Sequence, residues 1–270
     1  MGIRSRSRSI ATAAVLAAAM LVAACQTDGP SGAGPVTQAR PDPFADALIV
    51  SVPPGVEKAP VVLLLEGTGG SSRMHPTWGP FLVSRGIAVV QIQSAKARGR
   101  RNWEGMGCGL LYTGDPRAAL ETLRNRPDID TSRFAVMGFS RGGTEALGGA
   151  RSFAGAAAQP AAVFAFYPGC GGVCESDWGR RAPQVAVHIF YGAADGWGNH
   201  QGTRAACRWL AGGSITYHEY PGAEHGFDAP WEGQFRAGGS SFRFGPDPAA
   251  TAAAQTVVAD VLLRAWGTPR

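Results

Sequence analysis

Short, unbroken apolar runs punctuate the chain. "VVLLL" (61–65) lies between Pro60 and a glycine-rich stretch and offers no polar face. That is the pattern of a strand covered on both sides. "GIAVVQIQ" (86–93), "RFAVMG" (133–138), "AAVFAFYPG" (161–169) and "QVAVHIFYG" (184–192) read as further strands, and "SITYHEYPG" (214–222) as the last. "ALIVSV" (47–52) is a candidate first strand. Helices are predicted around 77–85, over 116–126 with Pro116 in its first turn, after Ser140 to about 150, over 200–211 and over 248–265. Residues 94–114 read as a long loop. Strands alternating with helices predict an α/β domain with a mostly parallel central sheet and helices on both faces.

The first 24 residues do not fit that domain. "MGIRSRSRS" is basic, "IATAAVLAAAMLVAA" is apolar and small, and "VAAC" closes the segment. This is the outline of a secretory signal. The apolar part would span roughly 22 Å as a helix, short of a bilayer core of about 30 Å. A cysteine directly after small residues resembles the lipobox of bacterial lipoproteins. The resemblance implies cleavage before Cys25 and lipidation of its sulfur, with Gln26 pointing to the outer membrane of the cell envelope. A plain secretory signal is the alternative. Residues 25–43 are Pro/Gly-rich and polar and read as a flexible tether, leaving 44–270 as the folded domain.

Composition supports one domain: 270 residues, 45% hydrophobic, are enough for one sizeable core. Arg4, Arg6 and Arg8 lie in the signal, so its removal lowers the net charge from +5 to +2. "KARGRR" (96–101) is the one basic run and reads as a solvated loop, so nucleic acid is not an expected partner. Cys108, Cys170, Cys174 and Cys207 remain, an even number that suggests two disulfides in an exported protein, with three connectivities open. "CGGVC" lacks a histidine pair at zinc spacing, so no metal is expected.

Candidate chemistry centres on "VMGFSRGGTEAL" (136–147). Gly138 to Gly142 spell G-x-S-x-G between a strand and a helix. In such a corner the serine is strained, its Oγ projects from the sheet, and flanking glycines avoid clashes. The helix N-terminus offers orphan N–H groups to an oxyanion. A serine N-cap is the bland alternative. A serine nucleophile needs a base and a carboxylate, which follow it in the order Ser, Asp, His. Asp195 stands at a strand tip in "YGAADGW", with Asp177 as competitor, and His225 in the loop of "YPGAEHGFD". His188 and His218 lie inside strands, His200 at a helix start, and His75 on the oxyanion-side loop. The expected oxyanion donors are the N–H groups of Arg141 and Thr68, with Gly67 close behind. "EGTGGSS" lacks the G-K-[ST] of a phosphate loop. Trp103, Trp197 and Trp231 read first as surface or core packing, with lining of the cleft as the alternative.

Together "LLLEGTGG", "VMGFSRGG", "AFYPGC", "YGAADGW" and "YPGAEHGFD" resemble the α/β-hydrolase superfamily, and within it the dienelactone hydrolase family, over about residues 47–265. The resemblance implies an α/β-hydrolase fold, a Ser140–Asp195–His225 triad and hydrolysis of a small-molecule ester without metal or organic cofactor. The chain lacks room for a large cap domain. The namesake enzymes carry a cysteine where Ser140 stands, and Glu66-Gly67 replaces the superfamily's usual His-Gly. Glu66 either tunes a neighbour or ends its strand. On that fold Cys170 and Cys207 fall over the strand ends, favouring Cys170–Cys207 with Cys108–Cys174, and Cys170–Cys174 as the alternative. A peptidase or amidase on the same triad, or a non-catalytic binding lipoprotein, are the rival functions.

Overall fold

The structure, a computed structural model, describes residues 42–71, 73, 75–106, 110–153, 155–169, 184–200, 202–237 and 239–267. Residues 1–24, expected to be a signal, Cys25, most of the expected tether, Cys108, Cys170, Cys174 and Asp177 lie outside the described residues.

The chain alternates strands β1 (Leu48–Ser51), β2 (Ala59–Leu65), β3 (Ala88–Ile92), β4 (Ile129–Phe139), β5 (Ala162–Phe166), β6 (Ala186–Gly192) and β7 (Ile215–Tyr220) with helices. The helices are α1 (Trp78–Val83), α2 (Asp115–Leu123), α3 (Arg141–Ala150), α4 (Gly196–His200), α5 (Thr203–Trp209) and α6 (Pro248–Trp266). Among the described residues the strands form a seven-stranded sheet ordered β1-β3-β2-β4-β5-β6-β7. Only β1 runs antiparallel, against β3; every other pairing in this sheet is parallel. The expected α/β-hydrolase architecture is present, with no large cap among the described residues.

The apolar runs explain this order. Every residue of β2, β3 and β5 is buried, as both faces of a parallel sheet require. Helix α6 buries Ala250, Ala254, Val258 and Leu262, one residue per turn. Asp247 caps it by accepting from the Ala250 N–H at 2.9 Å. Phe166 and Phe190 stack at 4.4 Å under the site, with Trp78 4.9 Å from Phe166.

Four local expectations are corrected. Pro60 lies inside β2, at an irregularity where the partner on β4 jumps from Asp130 to Phe134 and the Asp130 carboxylate accepts from the Ser132 N–H at 3.1 Å; a proline, which cannot donate to the ladder, is tolerated at such a break. The helix expected over 200–211 is two, α4 and α5, divided around Gly202, whose φ of 68° leaves the helical region. His200 therefore ends α4 rather than starting a helix. After β7 the chain forms an antiparallel hairpin, β8 (Gly233–Ala237) with β9 (Ser240–Phe244), so β7 is not the last strand.

Candidate active site

Strand β4 ends at Phe139 and α3 begins at Arg141, leaving Ser140 alone at the corner with φ 52°, ψ −114°. A non-glycine residue held there is strained by about 1–3 kcal/mol. The glycines make the corner possible. A Cβ on Gly138 would stand 2.0 Å from the Gly142 carbonyl oxygen, and one on Gly142 2.4 Å from that of Leu65. A Cβ on Gly143 would meet the Phe166 oxygen at 2.7 Å. The G-x-S-x-G-G spacing thus lets α3 leave between the ends of β2 and β5. The serine is not a side-chain cap of that helix: Ser140 makes no side-chain cap hydrogen bond.

The Ser140 Oγ instead lies 3.0 Å from His225 Nε2, and His225 Nδ1 lies 2.9 Å from Asp195 Oδ2. Asp195 is fully buried at the end of β6, and its other oxygen accepts from the Gly198 N–H at 2.8 Å. A carboxylate only accepts, so His225 Nδ1 carries a proton and Nε2 is left to accept from the serine hydroxyl. The structure therefore brings the three sequence-predicted residues into one hydrogen-bonded chain, in an arrangement able to move a proton off a hydroxyl.

That chain borders a cavity of about 950 Å³. Gly67, Thr68 and His75 line one side; Trp197, Trp231 and Phe235 line another. A Cβ on Gly67 would lie 3.7 Å from the Ser140 Cβ, so this loop sits directly beside the serine. Against the packing reading, Trp197 and Trp231 line the cleft, whereas Trp103 packs as expected, buried beneath the corner and 1% exposed. The β8–β9 hairpin, unforeseen in the sequence, supplies Phe235, whose ring is 5.8 Å from that of His225.

Residues 93–264 match the sequence profile of the dienelactone hydrolase family. The chain belongs to that family. No relative was found among curated proteins. A dienelactone hydrolase-like promiscuous phosphotriesterase from metagenomic libraries is similar in structure, with 20% identity and a TM-score of 0.53, over 81% of this chain and 99% of that one. A dienelactone hydrolase from Anabaena variabilis has 19% identity and a TM-score of 0.55, over 81% and 91% of the two chains. A thermophilic esterase from Thermogutta terrifontis has 17% identity and a TM-score of 0.52, over 82% and 88%. At these identities the likeness is one of fold.

This dienelactone hydrolase family member carries a charged network under the corner that sequence reading missed in part. The Arg141 side chain is buried; its Nε lies 3.2 Å from Glu145 Oε1 and its guanidinium 4.5 Å over the Trp103 ring. Arg98 grips Asp115 with two hydrogen bonds of 2.9 and 2.7 Å. Glu66 accepts from the Ala95 N–H at 2.7 Å. Burial pushes the carboxyls of both Glu66 and Glu145 up to about 7, against hydrogen bonds from backbone N–H groups that favour the charged form. The i, i+4 spacing of Arg141 and Glu145 was the available signal for the pair. Cys207 is buried on α5; the proposed cysteine partners fall outside the described residues.

Proposed function

We propose that this hydrolase is a serine esterase. The single observation that carries the reading is the unbroken Ser140–His225–Asp195 chain, with links of 3.0 and 2.9 Å, at a strained strand-to-helix corner. Ser140 Oγ attacks the ester carbonyl carbon as its proton passes to His225 Nε2. Asp195 holds the resulting imidazolium through Nδ1. The N–H groups of Arg141, at the start of α3, and Thr68, on the loop beside Ser140, receive the oxyanion. As the tetrahedral intermediate collapses, His225 returns the proton to the leaving alcohol. It then takes a proton from water, whose oxygen attacks the acyl-serine to release the acid and restore Ser140. General-base and oxyanion assistance each contribute on the order of 10²–10⁴ in rate. The aromatic wall of Trp197, Trp231 and Phe235 suits an apolar acyl or alcohol group. We place the enzyme in the cell envelope on a lipid at Cys25; a Cys25→Ser chain that still takes up labelled fatty acid would remove that part of the reading.

Hydrolysis of p-nitrophenyl acetate and butyrate, with intact mass after fluorophosphonate treatment, tests the proposal. Turnover lost in Ser140→Ala, together with one adduct on Ser140, supports it. A folded protein with neither turnover nor adduct rules it out.

A further inference from the structure

Asp228 follows His225 by three residues and is buried without belonging to the Ser140–His225–Asp195 chain. Donors from separate segments converge on its carboxylate. Trp78 Nε1, at the start of α1, donates to Oδ2 at 2.6 Å. Tyr167, just past β5, donates its hydroxyl to Oδ1 at 2.6 Å. His75 Nε2 stands 3.8 Å from Oδ2. The backbone joins the same knot, since the Thr77 hydroxyl donates to the Asp228 carbonyl at 2.6 Å. His75 Nδ1 accepts from the Thr77 and Trp78 N–H groups at 3.3 and 3.4 Å, so the neutral ring carries its proton on Nε2, the atom nearest Asp228.

Tyr167 is the element of interest. With Ser140 it is one of two non-glycine residues of positive φ among the described residues, at 36°. Its ring lies 4.7 Å from the His225 ring, tilted by 59°, and it lines the cavity. Because its hydroxyl is committed to Asp228, the ring serves as a wall against the imidazole rather than as a proton donor to substrate. A buried tyrosine held at a strained φ keeps its place only when its surroundings over-determine it. Two contacts do so here: its N–H donates to the Phe190 carbonyl at 2.7 Å, and its hydroxyl to Asp228.

We infer that Asp228 is a positioning residue for the reaction: its carboxylate anchors Tyr167, and the anchored ring sets the plane in which His225 works between Ser140 and Asp195. The inference rests on the serine esterase reading. A neutral amide is a weaker anchor than the carboxylate. Asparagine can keep its oxygen on the Trp78 indole and turn its N–H₂ to the Tyr167 hydroxyl, which then accepts, so a neutral bond stands in place of the charge-assisted one.

The test compares Asp228→Asn, Tyr167→Phe and the double variant with the parent chain. Each is assayed well below its melting temperature, with active sites titrated by fluorophosphonate. A purely structural role would lower the melting temperature and the titratable fraction but leave kcat per titrated site alone. The positioning role predicts that kcat per titrated site falls about 10- to 100-fold in Asp228→Asn and in Tyr167→Phe. KM should stay within about twofold, because the imidazole acts in the transition state rather than in binding. The double variant should be no worse than the weaker single, since both act on one tether. A kcat per titrated site within about twofold of the parent in Tyr167→Phe, or losses that multiply in the double variant, overturns the inference. If Asp228→Asn fails to fold, Tyr167→Phe alone decides. A parent chain that neither titrates nor turns over would instead sink the esterase reading, so the two failures are distinguishable.

Discussion

Glu66 follows the last residue of β2, borders the cavity and is 3% exposed, yet among the described residues its carboxyl has no basic partner close enough to offset burial fully. Replacing it with glutamine removes the charge while keeping an oxygen for the Ala95 N–H. The carboxyl titrates near 4.5 when unfolded and is raised to about 7 in the fold, first by desolvation. Its contribution to stability is therefore fully present below pH 4.5 and is lost as pH rises through 7. Between those values the folded chain holds a proton that the unfolded chain has released. Stability falls by about 1.4 kcal/mol per pH unit over about 2.5 units, or about 3 kcal/mol in all. Urea unfolding of wild type and Glu66→Gln, followed by tryptophan fluorescence at pH 5 and pH 8, reads this directly. At pH 5 the two proteins should agree within about 1 kcal/mol, and at pH 8 the variant should be the more stable by about 3 kcal/mol. Glu145 shifts in the same direction, and its negative charge is one of the causes that raise Glu66, so the double variant should gain less than twice as much. A stability difference between the two proteins that is the same at pH 5 and pH 8 would refute the reasoning, because Glu66 would then hold its proton equally in both states.

The other expectations follow from single contacts. Gly142→Ala places a Cβ 2.4 Å from the Leu65 oxygen and 2.6 Å from that of Glu66, so the corner must open; we expect a loss of at least about 1–3 kcal/mol with abolished esterase activity, and an unchanged melting temperature would count against it. Asp195→Asn keeps the size of the acid but favours the wrong histidine tautomer, and kcat on p-nitrophenyl butyrate should fall by roughly 10⁴; near-parental turnover would show that another acid serves His225. His188 is pushed down to about 4 by burial, with the His218 ring 3.1 Å away between Nδ1 and Nε2, so stability present above pH 6.5 is lost as pH falls through 4. His188→Leu should flatten that acid limb in thermal melts, and a limb of unchanged slope would remove His188 as its source.

The parts of this protein that were legible in its sequence are those whose cause is local. "VVLLL" announces a buried strand because every residue in it is apolar, and G-x-S-x-G announces a corner because glycines must stand where a Cβ would meet backbone oxygen. The order Ser140, Asp195, His225 is legible because strand ends recur along the chain. The hairpin β8–β9 was not, since "GQFRA" and "SSFRF" are too short and too polar on one side to stand out as strands. Asp228 was invisible for another reason: its partner Trp78 lies 150 residues away, and no local pattern marks a buried carboxylate whose donors come from other segments. Glu66 could be singled out as unusual but not interpreted, because its meaning depends on burial and on Glu145.

The two strained residues share a structural cause that ties the chemistry to the sheet. Ser140 lies one residue past β4 and donates its N–H to the Phe166 carbonyl at 3.0 Å; Tyr167 lies one residue past β5 and donates to the Phe190 carbonyl at 2.7 Å. Each is held by one further hydrogen bond in the direction of the ladder, from a strand whose core-facing residues are fully buried. Strain of about 1–3 kcal/mol at each position is small beside the apolar burial of β4, β5 and β6, so the sheet can hold both backbones outside their preferred regions. The serine is thereby fixed by the sheet rather than by its loop. His225 is placed differently, on a loop steadied by Asp195, by Tyr167 and by a bridge to Phe244 of β9. On the proposed mechanism, loosening that loop should therefore change the orientation of His225 while leaving Ser140 in position, which is why fluorophosphonate titration and turnover are expected to separate in variants of Tyr167 and not in variants of Gly142.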